Sequence, residues 1–151
     1  MTNPTAELYE QDFYAWANEQ AALLREGKLE SADIQHIAEE IESMGRTEKR
    51  ELVNRLAVLL MHLLKWQFQP QGRCTSWRLT IKEQRRELSD HLDDNPSLKA
   101  KLSEAISSAY ARAQLTAARE TNLPETTFPT TCPWSFEQMM EDDFWSESTP
   151  H

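Results

Sequence analysis

The sequence predicts an all-α fold, a single-domain helical bundle of about five helices around a long central helix, with an extended Pro-rich C-terminal clasp and a short terminal helix. Three observations carry that prediction. The stretch Thr47 to Gln69 is too long for a strand, and its inner part, Leu52 to Phe68, is apolar on nearly every face, as in a helix enclosed by neighbours. Only 3 glycines occur in 151 residues, too few for long irregular or turn-rich β architecture. No alternating stretch is long enough to read as a strand, and no internal repeat is present. A chain of this length buries one sizeable core, so 1–151 is expected as one domain with a helical body at 5–123, a docked clasp at 124–145 and a frayed tail at 146–151.

Thr5 is placed to cap a first helix running to about Glu26, where Gly27 ends it. Leu8, Asp12, Trp16 and Leu23 form one row, Phe13, Ala17, Gln20 and Leu24 the next, with Phe13 and Trp16 on the buried edge. Asp33 then caps a short second helix whose stripe is Ile34, Ile37, Ala38 and Ile41, and Gly45 is its expected stop. The central helix opens after Thr47 and ends before Pro70, because proline cannot continue the hydrogen-bond ladder.

A fourth helix is expected from Thr75 to about Asp93, with Trp77, Ile81, Leu88 and Leu92 on one side and Arg78, Lys82, Arg85 and Arg86 on the other. Asp90, Asp93 and Asp94 fall at its C-terminus, where the helix dipole disfavours acids. Asn95-Pro96 gives a stop and a restart, and the fifth helix turns Leu98, Leu102, Ala105, Ile106, Ala109 and Ala113 inward. Pro124, Pro129 and Pro133 hold the next stretch extended and lay Phe128 and Trp134 on the body. Ser135 and Gln138 have capping-box spacing for a last short helix.

Charge is unevenly placed. Residues 1–45 carry 2 Lys+Arg against 10 Asp+Glu, residues 46–101 carry 12 against 7, and residues 102–151 carry 2 against 8. A formal net charge of −9 argues against non-specific binding to nucleic acid or an anionic membrane. The central apolar run is also far short of a membrane span. Cys74 and Cys132 are too few for a disulfide framework and fit no zinc motif, so they are expected as reduced thiols. The N-terminal MTNPTAELYEQD has neither the basic region nor the apolar core of a signal peptide, so a cytoplasmic location is expected.

The blocks AEEIESMG (Ala38 to Gly45), HLLKWQFQP (His62 to Pro70), SWRLTIKEQRREL (Ser76 to Leu88), NPSL (Asn95 to Leu98) and FPTTCPW (Phe128 to Trp134) together resemble the domain of unknown function family number 29, found in bacteria and abundant in cyanobacteria. The resemblance runs from DFYAWANEQAALLREG (Asp12 to Gly27) to the clasp. It implies an all-α fold. It implies no activity and lends no catalytic residues.

Two constellations are candidates for chemistry. A polar seam is formed by Glu39, Glu40 and Glu42 of the second helix and by Arg55, His62, Lys65 and Trp66 of the central one. His36 and Glu40 are one turn apart, the spacing for two ligands on one metal, yet Glu-x-x-His, the signature of helical di-metal sites, is absent. Arg55 and His62 fall nearly in line at 3.6 residues per turn, with Lys65 and Trp66 to either side. Their bland reading is hydrogen bonding of His62 to a neighbouring helix and exposure of the Lys65 ammonium beside the helix end. An anion-binding face is formed by Arg73, Arg78, Lys82, Arg85 and Arg86, which the acids Glu39, Glu40 and Glu42 would otherwise neutralise. No elbow serine or phosphate-binding glycine loop is present, and neither thiol has a base placed by spacing. No catalytic residue, metal ligand or cofactor is therefore nominated. The expected role is a non-enzymatic interaction module whose partner is another protein or a second copy of itself, a homo-oligomer; nucleic acid and membrane are not expected partners. The alternatives are a small enzyme or metal-binding protein using the seam, or a nucleic-acid binder using the Arg78, Lys82 and Arg85 face.

Overall fold

The computed structural model describes residues 4–146, with side chains from residue 7, and those residues form an all-helical chain without strands. Six α-helices follow in order: α1 (Pro4–Gln11), α2 (Phe13–Arg25), α3 (Ile34–Phe68), α4 (Thr75–Asp94), α5 (Leu102–Thr121) and α6 (Phe136–Met140). Short 3-10 turns lie at Leu29–Ser31, Pro70–Gly72, Pro96–Lys101 and Glu125–Thr127. The chain forms two compact units, Met1–Thr47 and Glu48–His151.

In the first unit the expected single opening helix is two. Asp12 leaves the helical region at φ −151° and its side chain accepts from the Ala15 N–H at 3.1 Å, so it caps α2. The Thr5 side chain, expected as a cap, lies outside the described residues. Tyr9 of α1 packs on Phe13 and Trp16 of α2, with ring centroids 5.7 and 4.8 Å apart. Trp16 is buried as expected, whereas Phe13 is half exposed. Gly27 closes α2 at φ +74°, a conformation that glycine adopts without a steric penalty.

The second and third expected helices are one, α3, 35 residues long. Gly45 does not stop it: a glycine costs a helix interior only about 1 kcal/mol against alanine, and no αL residue follows to end the ladder. Thr47, read as a cap, donates its hydroxyl to the Ser43 carbonyl one turn back at 3.0 Å, the habit of a threonine inside a helix.

In the second unit Leu52, Leu56, Leu59, Leu60, Leu63 and Leu64 of α3 are fully buried. Around them lie Ile81 and Leu88 of α4 and the small Ala105, Ala109, Ala113 and Ala117 of α5. The restart after Asn95 is 3-10 before it becomes α5. The clasp lays Phe128 and Trp134 onto this core, and the Tyr110 hydroxyl donates to the Pro129 carbonyl at 2.6 Å. Ser135 caps α6 through the Gln138 N–H at 3.0 Å. Ser146 is no part of a frayed end, because it is buried and donates to the Leu63 carbonyl at 2.5 Å. Residues 147–151 of the expected tail lie outside the described residues. No described helix is long and apolar enough to cross a membrane.

Candidate functional site

The polar line on α3 is dispersed among separate partners. Arg55 donates through Nε and Nη2 to Glu51 Oε1, at 3.0 and 2.8 Å, and stands 3.7 Å from Glu87. His62 bonds through Nδ1 to the Val58 carbonyl of its own helix at 2.9 Å. Burial lowers its pKa and Lys65 adds to that effect, while the Val58 carbonyl and Glu120 oppose it. Lys65 is buried, pairs with Glu120 at 2.8 Å and lies 4.5 Å from the Trp77 ring centre. The Trp66 ring stacks obliquely on Trp145, centroids 4.9 Å apart. Arg55, His62 and Lys65 are each paired with a different neighbour, and the buried Trp66 Nε1 finds no hydrogen-bond partner among the described residues, so these residues do not converge on one opening.

The basic face is likewise divided. Arg85 is buried rather than facing solvent, and donates to the carbonyls of Met139 at 2.8 Å, Phe144 at 2.6 Å and, at a longer 3.5 Å, Asp142. Burial pushes its pKa down, an effect that Asp142 opposes. Arg73 donates to the Trp66 carbonyl at 2.7 Å. Arg78, Lys82 and Arg86 remain exposed, but the cleft that Lys82 and Arg86 line also carries Asp142 and Asp143. Burial raises the pKa of the Cys132 thiol and so disfavours a nucleophilic thiolate there.

In the first unit the three acids of the seam have local partners or solvent. Glu40 accepts from the Tyr9 hydroxyl, whose pKa that bond and burial push up to about 12. Glu42 lies 3.9 Å from Arg46, and Glu39 is exposed. The buried polar centre is Asp33, which sequence spacing marked only as a cap. Its carboxylate accepts from Trp16 Nε1 at 3.1 Å and His36 Nδ1 at 2.7 Å, and its N–H donates to Gln20 at 2.7 Å. Burial alone would raise its pKa, but the His36 and Trp16 bonds outweigh burial and hold it below the ordinary value. Outside this knot several large apolar side chains of the unit face solvent: Phe13, Tyr14, Ile34, Ile41 and Met44 are all at least half exposed.

One cluster was not nominated from the sequence. An open cleft of ≈ 360 Å³ is lined by Glu48, Glu51 and Arg55 of α3 and by Glu87, Asp90, His91 and Asp94 of α4. His91, only 7% exposed, reaches the Glu48 carbonyl through Nε2 at 2.8 Å. Its Nδ1 faces Glu48 Oε2 at 3.7 Å and Glu51 Oε2 at 3.6 Å. The available signal was the run of acids at the C-terminus of α4, against the helix dipole. The separation of Glu48 and His91 by 43 positions hid the rest.

The family model described as "Domain of unknown function DUF29" matches residues 8–145. No curated protein and no solved structure matches the chain.

Proposed function

The chain belongs to the family described as Domain of unknown function DUF29, and from that premise we propose that it is a non-enzymatic interaction module, binding another protein or a second copy of itself through the apolar surface of its first unit. The observation that supports this reading is the stripe Ile34, Ile37, Ile41 and Met44 on α3. These residues recur at helical spacing, yet Ile34, Ile41 and Met44 are 54%, 62% and 67% exposed. Large side chains left in water at core-type spacing are what a partner's apolar face would cover. The acids Glu39, Glu40 and Glu42 beside the stripe name the chemistry of that partner: apolar in the middle and carrying Lys or Arg at its rim.

A seam enzyme has less support, since Arg55, His62 and Lys65 are each paired with a different neighbour. Nucleic-acid binding has less still, with Arg73 and Arg85 turned onto backbone carbonyls. A cytoplasmic setting belongs to the same proposal. The test is light scattering of the purified protein over a wide concentration range, together with capture from native lysate by the wild type and by Ile41→Ser/Met44→Ser. Association or a specific captured protein that the double variant loses is the expected result. A strict monomer that captures nothing, or equal capture by both proteins, removes the reading.

A further inference from the structure

We propose that Glu48, Glu51 and His91 bind one first-row divalent transition ion, for which zinc is the probe. The argument starts at the buried imidazole. A carbonyl oxygen only accepts, so Nε2 must carry the hydrogen that is shared with the Glu48 carbonyl at 2.8 Å. In the neutral ring Nδ1 is then a lone pair. It takes no hydrogen bond among the described residues, and it is held inside a ring 93% withdrawn from solvent, aimed at the Oε2 atoms of Glu48 and Glu51. Three electron-pair donors face one another within 4.8 Å, an arrangement that is repulsive until a cation sits among them.

The spacing suits a metal. Two ligands on a tetrahedral ion with bonds of about 2.1 Å lie about 3.4 Å apart, and Nδ1 stands 3.6 and 3.7 Å from the two carboxylate oxygens. The surroundings hold the donors in place. Arg55 grips Glu51 through Oε1 alone and leaves Oε2 free, and the Glu48 carbonyl fixes the tautomer and plane of the ring. Glu87, Asp90 and Asp94 line the same cleft, so its charge favours a cation despite Arg55. The C-terminal end of the α4 dipole points the same way, and it explains why a helix would tolerate acids in its last turn. One imidazole with two carboxylates is a borderline donor set that favours zinc and its neighbours over calcium or magnesium. With three protein ligands in an open cleft, a fourth position is left for water or another oxygen ligand.

The competing occupant is a proton on Nδ1, which would make the cluster an imidazolium paired with two glutamates. Full-length protein purified without a histidine tag and stripped with chelator should bind one equivalent of cobalt, with a saturating visible ligand-field band that zinc displaces. Two-bond proton–nitrogen spectra should show Nδ1 of His91, not Nε2, shifting on zinc addition. Loss of a group that merely orients a ligand costs about 10–100-fold in affinity, so Glu51→Gln or Glu48→Gln should weaken zinc about tenfold or more, and His91→Gln should abolish binding. Should His91→Gln fail to fold, the two glutamine variants at half-exposed positions carry the test. Absence of saturable binding, or undiminished affinity in Glu48→Gln/Glu51→Gln with a native circular dichroism spectrum, overturns the proposal.

Discussion

The two units are held together by different physics. In Glu48–His151 twenty apolar side chains form a continuous buried cluster, and polar groups that enter it, such as Arg85, do so to tie chain to chain. In Met1–Thr47 the described buried side chains are Trp16, Gln20 and Asp33, three groups joined by hydrogen bonds, while large apolar residues stay outside. The contrast teaches that hydrophobic spacing has two meanings in one chain. Along Leu52 to Leu64 it marks what folding buries, and along Ile34 to Met44 it marks side chains that folding leaves exposed. An account by buried area applies to the larger unit, where each deeply buried aliphatic is worth about 1.5–3 kcal/mol. In the smaller unit the buried groups centre on the Asp33 carboxylate, beside the aromatic packing of Tyr9 on Trp16.

The largest effect should come from the polar tie inside the apolar unit. Arg85→Ala leaves the Met139 and Phe144 carbonyls without their charged donor and opens space beneath Trp145, whose ring centre lies 5.5 Å from the guanidinium carbon. The expected cost is about 3–5 kcal/mol by denaturant unfolding. Faster proteolysis should begin in the clasp. Arg85→Met should recover the part due to packing of the stem but none of the carbonyl bonding. If Arg85→Ala left stability within about 0.5 kcal/mol, the clasp would be held without its charged tie, and the view of Arg85 as a tie in this unit would fail.

Arg85 also shows how far the sequence could be read. Ile81, Arg85, Leu88 and Leu92 are one helical row, so spacing placed the arginine inside; its charge and its basic neighbours argued for solvent, and charge was the wrong guide. The enclosed part of α3 was legible because an apolar run on every face has one interpretation. Its continuity was not, because Gly45 and Thr47 are stop and start residues only when tertiary structure uses them so, and inside a long helix they cost little. The stripe that carries Ile41 was legible as a face, but periodicity gives a face and not what covers it, and Ile41 is exposed. The His91 cluster was beyond reach, since nothing local links Glu48 to a histidine on another helix.

A smaller effect, confined to the first unit, is expected from Asp33→Ala. It strips the Trp16 indole and the His36 imidazole of their acceptor at about 2–4 kcal/mol. Native-state hydrogen exchange is the measurement that sharpens the comparison. Amides of α2 should lose protection while those of Leu59 to Leu64 keep theirs. Equal loss in both stretches would mean that the units unfold as one. The same carboxylate sets an acid limit. Its folded pKa lies below the ordinary 3.8, so its contribution is complete above that value and is lost as pH falls through the folded one.

His62 gives the mildest effect and places the larger unit in a different pH window. Burial, aided by Lys65, lowers its folded pKa from the ordinary 6.5, so below 6.5 the unfolded chain binds the proton more readily than the folded one. Stability therefore falls as pH drops from 6.5 through the lowered value, and the penalty is absent above 6.5. His62→Gln can keep a donor for the Val58 carbonyl and has nothing to protonate, so its stability should be flatter on the acid side and nearly that of the wild type at pH 8. Urea midpoints from about pH 8 to 5, followed beside exchange protection of α2, would separate the windows. The second unit should weaken first through His62, with the first unit unchanged until the carboxylate range. Identical pH profiles for the wild type and His62→Gln would show that the imidazole is not what sets the acid side of the larger unit.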